Sequence, residues 1–385
     1  WYLRNTLVET LEPGTDPVPP GDPDKGGTPQ PDPEPQPEYP NYRPEIPTYV
    51  ALPALAHRFG MEMLGNYHDR VGQDYIHLPV ANPALADTSA QQNTLRRETS
   101  MWGRIFGFRG DFGNNNGSVA TQYDKFQKRG ASYNRHSQGL QLGFDLHRVT
   151  GPKGSRLAAG LYAGVGEITG TVDAVYGGRS GKAKLTGYSF GGYWTHTGSK
   201  GSYVDFVLQG TRYKSTVETA TADGFSPDGW GISASIEGGT PFVVGDGWVL
   251  EPQAQIIHQY VTFENGQDRV ARIHYDSSRS TYGRLGARLV RSWTASGDRR
   301  MTAWGRFNVW HDFEQKAVTR ISTLSDLYPV NLGTSLGGTW GQAQLAISGE
   351  LTPTVSAFAS GDYNFSLDRA NAEGFGWRVG MRVRF

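Results

Sequence analysis

The sequence predicts an all-β fold, a twelve-stranded antiparallel β-barrel that spans a membrane, and three observations carry that prediction. Apolar residues recur at every second position through most of residues 101–385, the period that sends successive side chains of a strand to opposite faces. Several of these runs span 10 to 16 residues, whereas strands of soluble proteins are typically about 5 to 6 residues long and a tilted membrane strand needs about 9 to 11. The connections alternate between short and long, the pattern expected when tight turns gather at one rim of a barrel and loops at the other.

Ahead of the strands come three segments. Residues 1–12 form a short stretch with apolar Trp1, Leu3, Leu7 and Leu11, too small to fold alone; Trp1 is not an initiator Met and no secretory-signal pattern surrounds it, so the chain is expected to be part of a longer precursor. Residues 13–47 hold 13 of the 22 prolines, and their missing amide donors and fixed φ disfavour helix and sheet, which predicts a linker. At roughly 3.1 Å per residue in a polyproline conformation, 25 such residues would cover on the order of 75 Å. From about Leu52 to Asp69, the spacing of Leu52, Leu55, Phe59, Met63 and Leu64 predicts a helix with one apolar stripe and Pro53 in its first turn. Eighteen residues at about 1.5 Å each give roughly 27 Å, close to the thickness of a bilayer's hydrocarbon core. The opposite face carries His57, Arg58, Glu62, Asn66 and His68 and is too polar for lipid. The expected boundaries are therefore 48–72 for the helix and its connection and 73–385 for the barrel.

The alternation is plainest at Leu140, Leu142, Phe144 and Leu146 against Gln141, Gly143, Asp145 and His147, and at Trp377, Val379, Met381, Val383 and Phe385 against Arg378, Gly380, Arg382 and Arg384. Strands are expected near 101–109, 138–148, 156–166, 185–196, 202–214, 229–239, 247–262, 281–293, 300–311, 335–350, 354–365 and 375–385. Alternation alone does not say which face meets lipid. Strand length, loop parity, an aromatic content of 12% suited to interfacial girdles, and the absence of another element to cover the sheet assign the apolar face outward. No apolar run reaches 18 residues, which excludes membrane-spanning helices and leaves a barrel open. The 37 basic residues balance 37 acidic ones, so no bulk positive charge marks a nucleic-acid binder. With no Cys, disulfides, thiolate metal sites and a Cys nucleophile are excluded.

Taken together, the order of parts resembles the translocator unit of classical autotransporters, the type V secretion family of Gram-negative bacteria. YRPEIPTYVALPALAHRFGMEMLGNYHDRVG at 42–72 is similar to the pre-barrel segment of the family's diffuse-adherence and self-associating adhesin branch, and MWGRIFGF at 101–108 to its first strand. The alternating apolar and aromatic residues that end at Phe385 resemble the strand read by the barrel-assembly machinery. The resemblance implies that the helix lies inside the barrel and plugs it, with His57, Arg58, Glu62, Asn66 and His68 facing lumen residues Gln141, Asp145, Asp205, Glu251, Gln253, Arg284 and Arg288. It implies that the linker emerges outside and tethers an upstream passenger at the cell surface, an adhesin in this branch, and that Trp377, Val379, Met381, Val383 and Phe385 form the assembly signal. The partners it implies are outer-membrane lipid and lipopolysaccharide, the chain's own passenger, the barrel-assembly machinery and periplasmic chaperones, around a monomeric barrel that needs no cofactor and no metal. Some members cleave their own passenger at an Asn within the lumen; Asn66 lacks the Asn-Asn context and is expected to be a hydrogen-bonding residue near the helix end.

Two other readings stay open at this stage. A general porin would share the barrel and lack the plug. An outer-membrane protease would need acid–base pairs near the rim, and Asp145 with His147, two apart and so expected on one strand face, and His311 with Asp312, are the candidates. The Gly-rich fragments GSVAT and YGGRSGK are not expected to open helices, which argues against phosphate loops.

Overall fold

The computed structural model describes residues 4–7, 39–72, 96–114, 116–151, 154–220, 224–313, 316–368 and 373–385. Twelve antiparallel strands close on themselves: β1 (Ser100–Phe112), β2 (Tyr133–Thr150), β3 (Arg156–Asp173), β4 (Arg179–Thr197), β5 (Tyr203–Thr219), β6 (Asp228–Gly239), β7 (Trp248–Phe263), β8 (Ser278–Ala295), β9 (Arg299–Asp312), β10 (Thr339–Glu350), β11 (Val355–Ser366) and β12 (Glu373–Arg384). Each pairs with its neighbour in sequence, and β12 returns to β1 with Glu373 opposite Asp111 and Arg384 opposite Ser100. Closure leaves no sheet edge in the wall, the condition under which strands can sit in hydrocarbon.

The two faces have the sign of a membrane barrel. Leu142, Phe144, Leu285 and Val379 stand exposed on the outer wall, Leu285 at 70%, while its neighbour Arg284 is 1% exposed inside. A helix, α1 (Ile46–Leu64), runs down the lumen from the loop-bearing mouth, where Thr48 meets Ser180, to mid-wall, where Gln141 meets the Met63 carbonyl. It begins before the expected Leu52: Pro47 occupies the first turn, and Pro53 lies inside the helix, where it removes a donor from the ladder. Gly65, at φ 63°, ends it, and a short second helix, α2 (Tyr67–Val71), follows after Asn66. Residues 13–38 of the predicted linker lie outside the described residues; of its remainder, Tyr39–Tyr42 form a strand and Ile46 with Pro47 lie in α1.

Above the wall the molecule differs from expectation. Strands β3 and β4 run on to Asp173 and back from Arg179, so the long loop expected between them is a tall hairpin. The connections β7–β8 and β9–β10 contribute a four-stranded sheet of Gly266–Gln267, Ala271–Tyr275, Ala317–Thr323 and Val330–Thr334, which caps the loop-bearing mouth. The connection β1–β2 contains α3 (Val119–Arg129), whose N-cap is Ser118 of the GSVAT fragment; the fragment does open a helix, against the expectation.

This cap explains an uneven lumen. Toward the loop-bearing mouth the inward residues are apolar, and Tyr133, Ile168, Val172, Leu185, Tyr213, Val217, Val261 and Phe263 join Ile46, Tyr49, Leu52, Leu55 and Phe59 of α1 in one core. Toward the other mouth the inward residues are Gln141, Asp205, Glu237, Glu251, Arg284 and Arg288. Strands taller than the membrane need an ordinary hydrophobic core where they stand in water, and the first half of α1 supplies its centre.

The helix-filled lumen as candidate functional site

The helix leans to one side of the bore. It packs on β3, β4, β5 and β7, where glycines let it approach: a Cβ at Gly187 would lie 2.2 Å from the Phe59 ring. On the opposite side a partly open space remains between the helix and the wall, lined among others by Arg58, Glu62, Asp69, Trp310, Trp340 and Arg378.

Each polar residue singled out on the helix meets the wall or the local backbone. His57 Nδ1 lies 3.2 Å from Gln259 and Nε2 lies 2.8 Å from Ser278 Oγ. Arg58 stacks 4.5 Å above Trp340, which stacks on Trp310 at 5.7 Å and 4°, with Arg284 at 5.6 Å from Trp310. The result is a cation–aromatic column from helix to wall, a geometry that favours attraction between the guanidinium charge and the negative ring faces. Glu62 accepts from Arg135 and Ser137. Asn66 Oδ1 accepts the Asp69 amide at 3.0 Å and so caps α2. His68 Nε2 meets Glu251 at 3.0 Å.

The wall residues fall into two groups. Gln141 donates to the Met63 carbonyl at 2.7 Å, Asp205 holds Arg70 with one contact at 3.2 Å, and Glu251 bridges His68 and Arg288, the latter at 3.0 Å. Gln253, Arg284 and Arg288 stand one step back: Gln253 donates to Glu251 at 2.7 Å, and Arg284 pairs at 3.0 Å with Glu237, which accepts the Tyr67 amide at 2.9 Å. Asp145 lies near the turn-bearing mouth, where it accepts from Ser100, Tyr193 and Arg148.

Sequence reasoning missed the hub of this network. Asp69 receives Arg306 at 3.0 Å, Gln344 at 3.3 Å and Arg378 at 3.6 Å. Arg104 donates to the carbonyls of Met63 at 2.6 Å and Asp69 at 3.0 Å, at the end of α1 where backbone acceptors lack helical partners. The signal was present: Arg104 shares the strand face of Trp102 and Phe106, both inward, and Asp69 sits in the HisAspArgVal motif.

The protease pairs do not assemble. A bulge between Asp145 and His147 inserts one extra residue, so His147 turns to the exposed outer wall while Asp145 stays inside. His311 faces outward and bonds Thr339 at 2.8 Å, whereas Asp312 faces inward and accepts from Ser280 at 2.7 Å. Among the described residues no group of three His, Cys, Asp or Glu is placed to hold a metal.

A closed barrel with an inner helix and charge-paired lumen agrees with the comparisons to known proteins. The family model described as the autotransporter beta-domain matches residues 101–362. The chain belongs to that family. As an autotransporter beta-domain it is an outer-membrane barrel of Gram-negative bacteria, of the type V secretion pathway. It is 26% identical over 399 residues to the adhesin BmaC autotransporter of Brucella suis, covering 100% of this chain and 10% of that protein. It is 27% identical over 252 residues to the pertactin autotransporter of Bordetella bronchiseptica, covering 62% of this chain and 25% of that one. Its fold is similar to the transport unit of AIDA-I from Escherichia coli, with a TM-score of 0.64 at 16% identity over 90% of this chain and all of that one. The beta domain of Bordetella BrkA gives a TM-score of 0.55 at 22% identity, covering 74% of this chain and 98% of that one. The chain thus spans a tenth to a quarter of the length of these curated relatives.

Proposed function

We propose that this domain carries an upstream passenger across the outer membrane and then holds it at the cell surface through the helix that fills its bore. The reading is carried by one observation: α1 begins beside the loops, with Thr48 on Ser180 at 3.1 Å and Tyr49 on Asp268 at 2.9 Å, so the chain enters the bore from that mouth. In this reading residues 1–12 are the end of the passenger, residues downstream of them the connection, and 48–72 the plug; His57, Arg58, Glu62 and His68 fix the plug to the wall, and Asn66 caps its second helix. Trp377, Val379, Met381, Val383 and Phe385, on the lipid side of β12, are the signal for the barrel-assembly machinery, with periplasmic chaperones delivering the unfolded chain and lipopolysaccharide surrounding the outer half. The passenger is an adhesin, as the names of the relatives suggest, and the domain itself performs no catalysis.

The test is display. An epitope placed before Trp1, behind a signal sequence in a Gram-negative host, should bind antibody on intact cells and lose that binding when residues 375–385 are removed. An assembled barrel whose epitope stays periplasmic would overturn the proposal.

A further inference from the structure

A two-stranded ladder stands at the loop-bearing mouth. Tyr39–Tyr42 pairs antiparallel with Arg4–Leu7, Arg4 opposite Tyr42, Asn5 opposite Asn41, Thr6 opposite Pro40 and Leu7 opposite Tyr39. The Tyr39–Tyr42 strand is held by the barrel. The rings of Tyr39 and Tyr42 lie 5.7 and 6.5 Å from Tyr123 of α3, and Tyr42 lies 5.4 Å from Phe126. Gln127 donates to the Tyr42 hydroxyl at 2.7 Å, and the Tyr176 hydroxyl donates to the Pro40 carbonyl. One residue on, Arg43 pairs with Asp268 at 2.8 Å before α1 begins. Three separate connections, β1–β2, β3–β4 and β7–β8, therefore fix this short strand and its passage into α1.

A strand so fixed is a template, because its edge offers main-chain donors and acceptors to a second strand. Pro40 removes one donor, which suits an edge and not a sheet interior. We propose that Tyr39–Tyr42 is a docking edge which the end of the upstream domain joins by strand addition. This rests on the reading of residues 1–12 as the end of the passenger. Because the ladder sets Leu7 opposite Tyr39, residues 8–38 begin and end at one place and add no distance between passenger and membrane. The Pro-rich stretch between these two strands then does not serve as the long spacer that its composition alone predicts. A segment tethered through such a stretch meets the edge at an effective concentration in roughly the millimolar range, which lets a short ladder persist.

The chain has no Cys, so paired Cys substitutions report cleanly. In the full chain folded in lipid vesicles, Asn5→Cys with Asn41→Cys should oxidise at least tenfold faster than the out-of-register pair Arg4→Cys with Tyr39→Cys. Adding Tyr123→Ala and Phe126→Ala should bring the two rates within about threefold. Equal rates in the native background, or no cross-link in a chain whose heat-modifiable gel mobility shows a folded barrel, would overturn the proposal. A second measurement does not depend on cross-linking: nitroxides at Asn5→Cys and Asp124→Cys should give one narrow distance, and a broad distribution would refute docking. Surface display of the epitope reads the translocator function separately, so a displayed but undocked N-terminus defeats only this inference.

Discussion

At the end of α1 the last carbonyls have no intrahelical donor and the helix dipole is negative, and Arg104 meets both needs with one planar guanidinium that also binds Gln141 at 2.7 Å. Its side chain is fully buried, so truncation takes the guanidinium donor from the Asp69 carbonyl and leaves the Met63 carbonyl with Gln141 alone. Arg104→Met should therefore destabilise the docked helix by about 1–3 kcal/mol, the cost of leaving buried acceptors unmade. Amide exchange over residues 61–65 should quicken while the barrel keeps its heat-resistant fold. Arg104→Lys should recover only part of the loss, because a point charge cannot serve Gln141 and two turns of backbone together. Unchanged exchange in Arg104→Met would show that the carbonyls find other donors.

Between elements, packing of helix on wall depends on absent side chains. Gly187→Val would drive a β-branched side chain into Phe59, so α1 should lose protection from exchange while β3 and β4 stay paired; Phe59→Ala in the same chain should restore it. The cap makes a second, titratable contact. Asp268 is buried, which raises its pKa, yet the Val270 amide, Arg43 and Tyr49 outweigh burial and hold it below the usual carboxylate range. A depressed folded pKa means the contact stabilises the cap above the unfolded value of about 3.9 and is lost as pH falls through the lower folded value. Protection of residues 46–50 should thus fall on acidification through that window, and Asp268→Asn should be weaker at neutral pH and flat across it. The wall was legible in the sequence because lipid outside and water inside impose a strict period of two, as at Leu140 to Leu146. The α1 stripe was legible for the same kind of reason. What stayed hidden lacks that constraint: α3 is one short amphipathic helix in a loop, the cap strands are five to seven residues or fewer, and the bulge at Leu146 breaks the parity that paired Asp145 with His147. Asp69 was visible as a residue but not as a hub, since its partners Arg306, Gln344 and Arg378 come from β9, β10 and β12, far apart in sequence and brought together by strand register and the curvature of the wall.

For the molecule as a whole, the two tiers of the lumen give the helix two different roles. In the tier near the turns, wall charges pair largely with one another, as Arg284 with Glu237 and Arg288 with Glu251, so the bore stays polar and hydrated if the helix leaves. In the tier near the loops, Ile168, Leu185, Tyr213 and Ile273 share one core with Ile46, Tyr49, Leu52 and Leu55, and without the helix they would line a water-filled mouth. Burial of a large apolar side chain contributes about 1.5–3 kcal/mol, so losing several at once exceeds what the four-stranded cap can hold by its own ladder. Deleting residues 46–71 should therefore act unevenly. Amides of 271–275 and 317–323 should exchange at close to unfolded rates, those of β8 and β9 at mid-wall should keep their protection, and single-channel conductance in planar bilayers should rise severalfold. Retained protection of the cap in the deletion would mean that its core closes on the wall alone, and the helix would then be a plug for ions without being the keystone of the outer half.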